Sequence, residues 1–130
     1  MDWGMANRMS KLIKADGKCF YLAMDHGYIM GPTHGLEKPA DTFAPVASYV
    51  DAVFVTRGVM RASIDPTTNV PVILRVSGGA TVVGQTLAHE EVAISIDEII
   101  RLNVQSVGVS VFIGTEYEHQ TLMALSKLIN

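Results

Sequence analysis

The sequence contains a single cysteine and no long hydrophobic run. With only Cys19 among its 130 residues, the chain can form no internal disulfide and no cysteine-based zinc site. The position of Cys19 in an apolar stretch predicts a buried structural thiol, not a nucleophile. The first residues, Met1-Asp2-Trp3-Gly4, do not resemble a signal peptide, and no segment is typical of a membrane span. These absences predict a cytoplasmic protein with no membrane partner.

Positive charge is also scarce. Ten Lys and Arg residues against thirteen Asp and Glu residues give a net charge of −3, with a pI near 5.7. An acidic chain is poorly suited to nucleic acid or to an anionic membrane, although a small anionic ligand needs only a few local basic groups. The four histidines have no metal-ligand spacing, so we expect no metal site and no bound cofactor.

The chain alternates apolar runs with helical patterns, which is typical of a parallel α/β sheet. The predicted strands lie at residues 19–24, 52–56, 70–76 and 107–113. The predicted helices lie at residues 3–13, around 43–50 and 59–64, and after the capping boxes Ser95/Glu98 and Thr115/Glu118. Residues 80–94 form either a long loop or a loop with one extended piece. Two architectures fit, an open doubly wound sheet and half of a (β/α)₈ barrel. The absence of G-x-G-x-x-G and P-loop motifs disfavours the nucleotide-binding version of the former.

An acid and an imidazole stand together where the first strand ends. Asp25 and His26 are followed by Gly27, and enzymes with parallel sheets carry their chemistry at the carboxyl ends of the strands. We therefore identify Asp25 as a candidate catalytic acid or base and His26 as a candidate proton shuttle. For His26 a structural role in the adjacent loop is an equal alternative.

Four further residues follow or end the next strands and are candidate substrate-binding groups: Arg57, Arg75, Ser77 and Gly78. An arginine inside a strand needs partners for its charge, and Asp25 or Glu116 are the predicted ones for Arg75. The glycine pair after Ser77 is only a weak indication of an anion-binding loop.

Several motifs resemble the class I aldolase family that includes the archaeal-type fructose-bisphosphate aldolases. The early ones are Asp2-Trp3-Gly4-Met5, Ala23-Met24-Asp25-His26-Gly27-Tyr28, Gly31-Pro32, Gly35-Leu36-Glu37 and Thr56-Arg57-Gly58. The later ones are similar to the thiolase branch that acts in autoinducer-2 breakdown: Leu74-Arg75-Val76-Ser77-Gly78-Gly79, Arg101-Leu102-Asn103 and Phe112-Ile113-Gly114-Thr115-Glu116-Tyr117-Glu118-His119-Gln120. The resemblance covers essentially the whole chain.

The resemblance implies a (β/α)₈ TIM barrel of roughly 250 residues or more, of which residues 1–130 are the N-terminal half, with about four βα units and a leader helix. It further implies a homo-oligomer that acts on a phosphorylated ketone, 3-hydroxy-5-phosphonooxypentane-2,4-dione, with coenzyme A as acetyl acceptor. In the family a lysine on the sixth strand forms a Schiff base, and late loops hold the phosphate. Neither feature is expected in this chain, and its five lysines have the pattern of solvated surface residues.

Two alternatives remain open. One is retro-aldol cleavage of a sugar bisphosphate. The other is a half-barrel fragment without activity of its own, which is the interpretation we favour for the chain as it stands. A half-barrel would expose its first and fourth strands as edges and leave one sheet face uncovered, which is either the face of Val53, Val55, Val72 and Leu74 or that of the alternating residues.

Overall fold

The computed structural model describes residues 2–31 and 33–129, so Pro32 of the Gly31-Pro32 motif lies outside the described residues. The α-helices are α1 (Trp3–Leu12), α2 (Gly27–Met30), α3 (Pro39–Phe43), α4 (Arg57–Ser63), α5 (Ile96–Leu102) and α6 (Glu118–Ile129), and a 3₁₀ helix spans Ala44–Tyr49. The strands are β1 (Tyr21–Ala23), β2 (Ala52–Thr56), β3 (Val72–Arg75), β4 (Ser77–Gly78), β5 (Glu91–Val92) and β6 (Ser106–Gly108). Among these residues no helix has the length and apolar character needed to cross a membrane.

Four strands form one parallel sheet in the order β1-β2-β3-β6. The order follows the chain without reversing, whereas a doubly wound sheet reverses direction at a switch point. Right-handed crossovers that always advance in the same direction place their helices on one face of the sheet. The topology is therefore that of consecutive barrel units, which decides between the two architectures that the sequence left open.

The two faces of this sheet are packed differently. One face is covered, and its residues in the two central strands are buried, namely Val53, Val55, Val72 and Leu74. The three valines of this set belong to the hydrophobic core together with Phe43 and Ile64. Val59 and Met60 of α4 pack against this core. The alternating residues Phe54, Ile73 and Arg75 point to the other face and are only partly buried. The uncovered face is thus the one with the alternating set.

The first strand is shorter and more exposed than the sequence predicted. β1 covers only Tyr21–Ala23, because it lies at the edge of the sheet with a neighbour on one side only. Phe20 is 61% exposed, and Cys19 is exposed as well. The predictions of a strand buried on both faces and of a buried thiol are therefore wrong.

Proline determines where the third helix changes character. Pro39 is the first residue of α3, a position that proline favours. Pro45 has no N–H group and cannot continue an α-helical ladder. The chain therefore tightens after Phe43 into the 3₁₀ helix, where the apolar spacing alone predicted one continuous helix.

The second half of the chain decides one open alternative and differs from the sequence prediction at two points. Residues 80–94 do contain an extended piece, since β5 pairs antiparallel with β4. The last sheet strand ends at Gly108, five residues before the predicted end at Ile113. Thr115 does not cap α6, because its hydroxyl group accepts from Tyr117 N and donates to Phe112 O. The Glu118 carboxylate accepts from Gly114 N instead, and the helix begins at Glu118 itself.

Candidate active site

The carboxyl ends of the parallel strands bring several candidate residues to one edge of the sheet. Asp25 follows β1, Arg57 follows β2, Arg75 ends β3, and Ser77 comes two residues later. The parallel register of β1, β2 and β3 places all of them at the same end. The expected clustering of these positions is confirmed.

Arg75 lies at the centre of a buried charge cluster. Its Nη1 donates to Asp25 Oδ2 at 2.8 Å, and its Nη2 donates to both oxygens of Glu90 at 2.9 and 2.8 Å. The side chains of Asp25 and Glu90 are 7% and 0% exposed, and that of Arg75 is 11% exposed. Two carboxylates thus surround one guanidinium group in a place from which water is largely excluded.

Glu90 accepts four hydrogen bonds from three donor groups. Besides Arg75, the Tyr28 hydroxyl group donates to Oε1 at 2.5 Å and the Ser77 hydroxyl group donates to Oε2 at 2.8 Å. Arg75 also donates to Ser110 Oγ and, through Nε, to the Ser77 carbonyl group. The ring of Tyr28 lies 4.7 Å from the guanidinium carbon, which is a favourable cation–π distance. The cluster therefore joins β1, α2, the β4–β5 hairpin and the segment after β6.

The protonation of this cluster follows from its contacts. Burial alone would raise the pKa of Glu90, but the hydrogen bonds from Tyr28 and Ser77 and the charge of Arg75 outweigh burial and lower it. Burial likewise opposes the charge of Arg75, yet the contacts with Asp25 and Glu90 leave its pKa above the ordinary value. Burial and the hydrogen bond to Glu90 raise the pKa of Tyr28. Glu90 and Arg75 are thus charged near neutral pH, and Tyr28 carries its proton.

The two oxygens of Asp25 have different surroundings. Oδ2 accepts from Arg75, whereas Oδ1 lies 4.0 Å from His26 Nδ1, too far for a hydrogen bond. Every fully buried side-chain nitrogen or oxygen atom among the described residues has a hydrogen-bond partner, so Oδ1 retains contact with solvent. The His26 side chain is 42% exposed. Asp25 therefore offers one fixed and one open oxygen, a geometry suited to proton transfer.

All four predicted substrate-binding residues line one cavity of about 360 Å³, together with Tyr28, Thr56 and Ala93. Within it Arg57 is not free, because its Nη1 donates to Glu98 Oε2 at 2.8 Å. Gly78 faces the Tyr28 ring so closely that a Cβ atom there would lie 3.3 Å from it. Arg75 contributes to the wall, but each of its three nitrogens already donates to a protein acceptor. The cavity lies at the carboxyl ends of the strands, where a substrate pocket is expected, and both of its arginines are engaged by carboxylates.

The sequence missed Glu90, the most buried member of the cluster. Of the two predicted partners of Arg75, Asp25 is confirmed and Glu116 is wrong, since Glu116 is exposed. Glu90 lies in the stretch 80–94, which has no periodicity to indicate burial. The only available signal was Arg75 itself, because a buried guanidinium group beside one aspartate still has donors to satisfy.

The lysines are placed as the sequence predicted. All five are exposed, and none is among the contacts of Asp25. These residues are Lys11, Lys14, Lys18, Lys38 and Lys127. Within residues 2–31 and 33–129, no three His, Cys, Asp or Glu side chains come close enough together to hold a metal ion.

Comparison with known proteins identifies the family of the chain. Residues 19–129 match the family described as DeoC/LacD family aldolase. The whole chain is 42% identical to the 3-hydroxy-5-phosphonooxypentane-2,4-dione thiolase of Escherichia coli (strain K12), of which it covers 45%. It is 40% identical to an uncharacterized aldolase of Pasteurella multocida (strain Pm70), again with 45% coverage of that protein. The chain thus spans less than half the length of these curated relatives.

Solved structures agree on the fold. An archaeal fructose 1,6-bisphosphate aldolase superimposes with a TM-score of 0.73 at 23% identity, over 95% of this chain and 50% of that one. A second archaeal structure, with its catalytic lysine bound to the carbinolamine intermediate, superimposes with a TM-score of 0.74 over the same shares. These matches confirm the barrel-type fold and the resemblance stated from the motifs. The chain belongs to the DeoC/LacD family of aldolases.

Proposed function

We propose that this chain supplies the acid–base group for Schiff-base cleavage of a phosphorylated ketone, 3-hydroxy-5-phosphonooxypentane-2,4-dione, with transfer of the acetyl group to coenzyme A. The observation that carries the proposal is the Asp25 carboxylate, which has one oxygen bound to Arg75 and one open to solvent at the carboxyl end of β1. The E. coli relative that bears this activity in its name is 42% identical over the whole chain.

The proposed chemistry requires a primary amine and a proton-transfer group. The amine adds to the ketone and loses water to give an iminium ion, which withdraws electrons from the carbon–carbon bond that breaks. Proton movements accompany both the addition and the cleavage, and a carboxylate with one free oxygen can accept and return each proton. In this scheme Asp25 is the catalytic group. His26, whose Nδ1 lies 4.0 Å from Asp25 Oδ1, would pass protons between Asp25 and solvent after a small shift that brings its ring within hydrogen-bond distance.

The amine comes from outside residues 1–130. All five lysines of the chain are exposed, and none is among the contacts of Asp25. The family resemblance implies a lysine on the sixth strand and a phosphate site in late loops. We therefore propose that residues 1–130 form the N-terminal half of a class I aldolase-type barrel and act together with a second half.

Two alternatives rest on specific observations. The structural likeness to archaeal fructose 1,6-bisphosphate aldolases favours retro-aldol cleavage of a sugar bisphosphate, which would need no coenzyme A. The engagement of Arg57 by Glu98 and of Arg75 by Glu90 leaves few free cations in the cavity, which favours a non-catalytic half-barrel. The thiolase proposal is preferred because the whole chain is similar to named thiolases.

The proposed substrates also place the protein in the cytoplasm. Phosphorylated ketones and coenzyme A are highly charged and do not cross membranes unaided, so the enzyme acts where they are made. Neither nucleic acid nor membrane is a partner in this proposal. Association of several copies into a homo-oligomer is proposed from the family resemblance.

The test joins this chain to the part of the E. coli thiolase that it does not match. The fused protein is assayed for acetyl-coenzyme A formation from the phosphorylated ketone. Asp25→Asn is expected to lower kcat by about 100-fold or more, whereas the matched control Asp41→Asn, at an exposed position in α3, leaves kcat unchanged. Cleavage of a sugar bisphosphate by the same fusion, in the absence of coenzyme A, would favour the aldolase alternative. A folded fusion with no turnover of either kind would contradict the proposal.

A further inference from the structure

The proposed mechanism gives no role to Glu90, the most deeply buried titratable side chain of the cluster. It is 1% exposed, and its carboxylate accepts from Tyr28, Arg75 and Ser77. Burying a carboxylate so completely is costly unless the charge is paired and fully hydrogen-bonded. The residues around Glu90 therefore favour the charged form of its carboxyl group.

The contacts of Arg75 show what that charge does. One terminal nitrogen donates to Asp25 and the other to Glu90, so the planar guanidinium group spans the two acids. Because the group is rigid, fixing one end fixes the other. Ser77 and Tyr28 restrain the Glu90 end from two further elements. Because Arg75 is held by two acids, it has little freedom to bind a substrate anion, although substrate binding was its predicted role.

We propose that Glu90 is a positioning residue, which acts through Arg75 to hold the Asp25 carboxylate with Oδ2 fixed and Oδ1 left free for proton transfer. The inference rests in part on the proposed function, since Asp25 is the group that this function uses. In this arrangement Arg75 links two acids and does not bind a substrate anion. The β4–β5 hairpin also contributes to the site, because it brings Glu90 to Arg75.

An amide cannot replace Glu90 without conflict. All the groups facing its two oxygens are donors: the Tyr28 and Ser77 hydroxyl groups and Arg75 Nη2. Glu90→Gln keeps the shape but places an NH₂ group against one set of these donors. The variant should therefore release Arg75 from its position with little change in volume. Glu91→Gln is the matched control, because Glu91 is the exposed neighbour and its carboxylate accepts from Gln120 outside the cluster.

The first test needs no activity and uses the chain itself. With carboxyl-¹³C aspartate incorporated, the Asp25 signal is identified by its loss in Asp25→Asn. Glu90→Gln should move this signal, and Glu91→Gln should leave it in place. If Glu90→Gln does not fold, Tyr28→Phe removes one donor to Glu90 and should move the Asp25 signal in the same direction by a smaller amount. An Asp25 signal that is unchanged in a folded Glu90→Gln or Tyr28→Phe protein overturns the proposal.

The second test separates positioning from a merely structural role. In the fused enzyme described above, Glu90→Gln should lower kcat by about 10- to 100-fold with KM nearly unchanged. In the Asp25→Asn background the same substitution should cause no further loss. An equal loss in both backgrounds, or a rise in KM alone, contradicts positioning of Asp25. If the unmodified fusion has no activity, the proposed function fails while the Asp25 signal still decides the role of Glu90.

Discussion

Arg75 Nη1 lies 2.8 Å from Asp25 Oδ2, although fifty residues separate the two in the chain. Asp25 follows β1 and Arg75 ends β3, and β2 lies between those strands in the sheet. The ion pair therefore reaches across a strand on the uncovered face, where side chains of alternate strands approach one another. Its burial makes it sensitive to the loss of either partner.

Loss of Arg75 should be strongly destabilising. Arg75→Met leaves Asp25 and Glu90 buried without their shared cation, and breaking a buried pair in this way costs about 3–5 kcal/mol. Arg61→Met is the matched control, because Arg61 is an exposed partner of Glu98 and surface pairs contribute about 0–1 kcal/mol. The free energy of unfolding in urea measures both. Similar losses for the two variants would show that the cluster is not the buried network described here.

Acid should weaken the fold through Glu90. Because its pKa in the folded state is below the ordinary value of 4.5, the folded protein binds this proton less readily than the unfolded chain does. The stabilisation is fully present above that ordinary value and is lost as the pH falls through the lowered pKa. Glu90→Gln should remove this part of the acid dependence. Unfolding free energies measured between pH 6 and 3 should therefore fall less steeply for the variant, and parallel slopes would contradict this assignment.

Gly108 should tolerate no side chain while Phe54 is present. A Cβ atom at Gly108 would lie 2.6 Å from the Phe54 ring, so Gly108→Ala forces the ring to move, at a cost of about 1–3 kcal/mol. The double variant Gly108→Ala/Phe54→Leu should recover part of this loss, because the shorter side chain vacates the contact. Gly58→Ala is the control, since nothing lies within 4 Å of its Cβ position. Thermal melts compare the unmodified protein, Gly108→Ala, Phe54→Leu, the double variant and the Gly58→Ala control, and additive losses of the two single variants would refute the contact.

The isolated chain should self-associate. β1 and β6 are the outer strands of the sheet, and both present unpaired backbone groups to solvent. Exposed apolar side chains lie beside these strands, with Phe20 61% and Ile113 69% exposed, and the face of Phe54 and Ile73 is only partly covered. Sedimentation at micromolar concentration should therefore detect dimers or larger species. A monodisperse monomer that melts cooperatively would mean that the edges and the face are protected in some other way.

The pattern of apolar and capping residues correctly predicted the elements that depend mainly on residues close in sequence. β2 has the predicted limits, 52–56, because it is an apolar run buried in the centre of the sheet. α5 begins after Ser95 as predicted, with Ser95 Oγ accepting from Glu98 N. The reciprocal half of that capping box is missing, because the Glu98 carboxylate binds Arg57 and Arg61 instead. A tertiary ion pair thus replaced a contact that the sequence alone favoured.

The features that the sequence did not predict depend on position in the sheet and on long-range partners. Cys19 was expected to be buried because its neighbours are apolar, yet an edge strand has one side without a neighbour. Glu90 lies in a stretch without periodicity and becomes buried only when Arg75, fifteen residues earlier, binds it. Composition and spacing identify Asp25 and Arg75, but they carry no information on which acid completes the cluster.

The central claim is that this chain provides Asp25 while the Schiff-base amine comes from elsewhere, and borohydride trapping tests it most directly. The chain is incubated with a phosphorylated ketone and borohydride, alone and fused to the unmatched part of the E. coli thiolase, and the products are mapped by mass spectrometry. We predict no change in mass for the chain alone, an adduct outside residues 1–130 in the fusion, and slower adduct formation with Asp25→Asn. An adduct on Lys11, Lys14, Lys18, Lys38 or Lys127 would contradict the account.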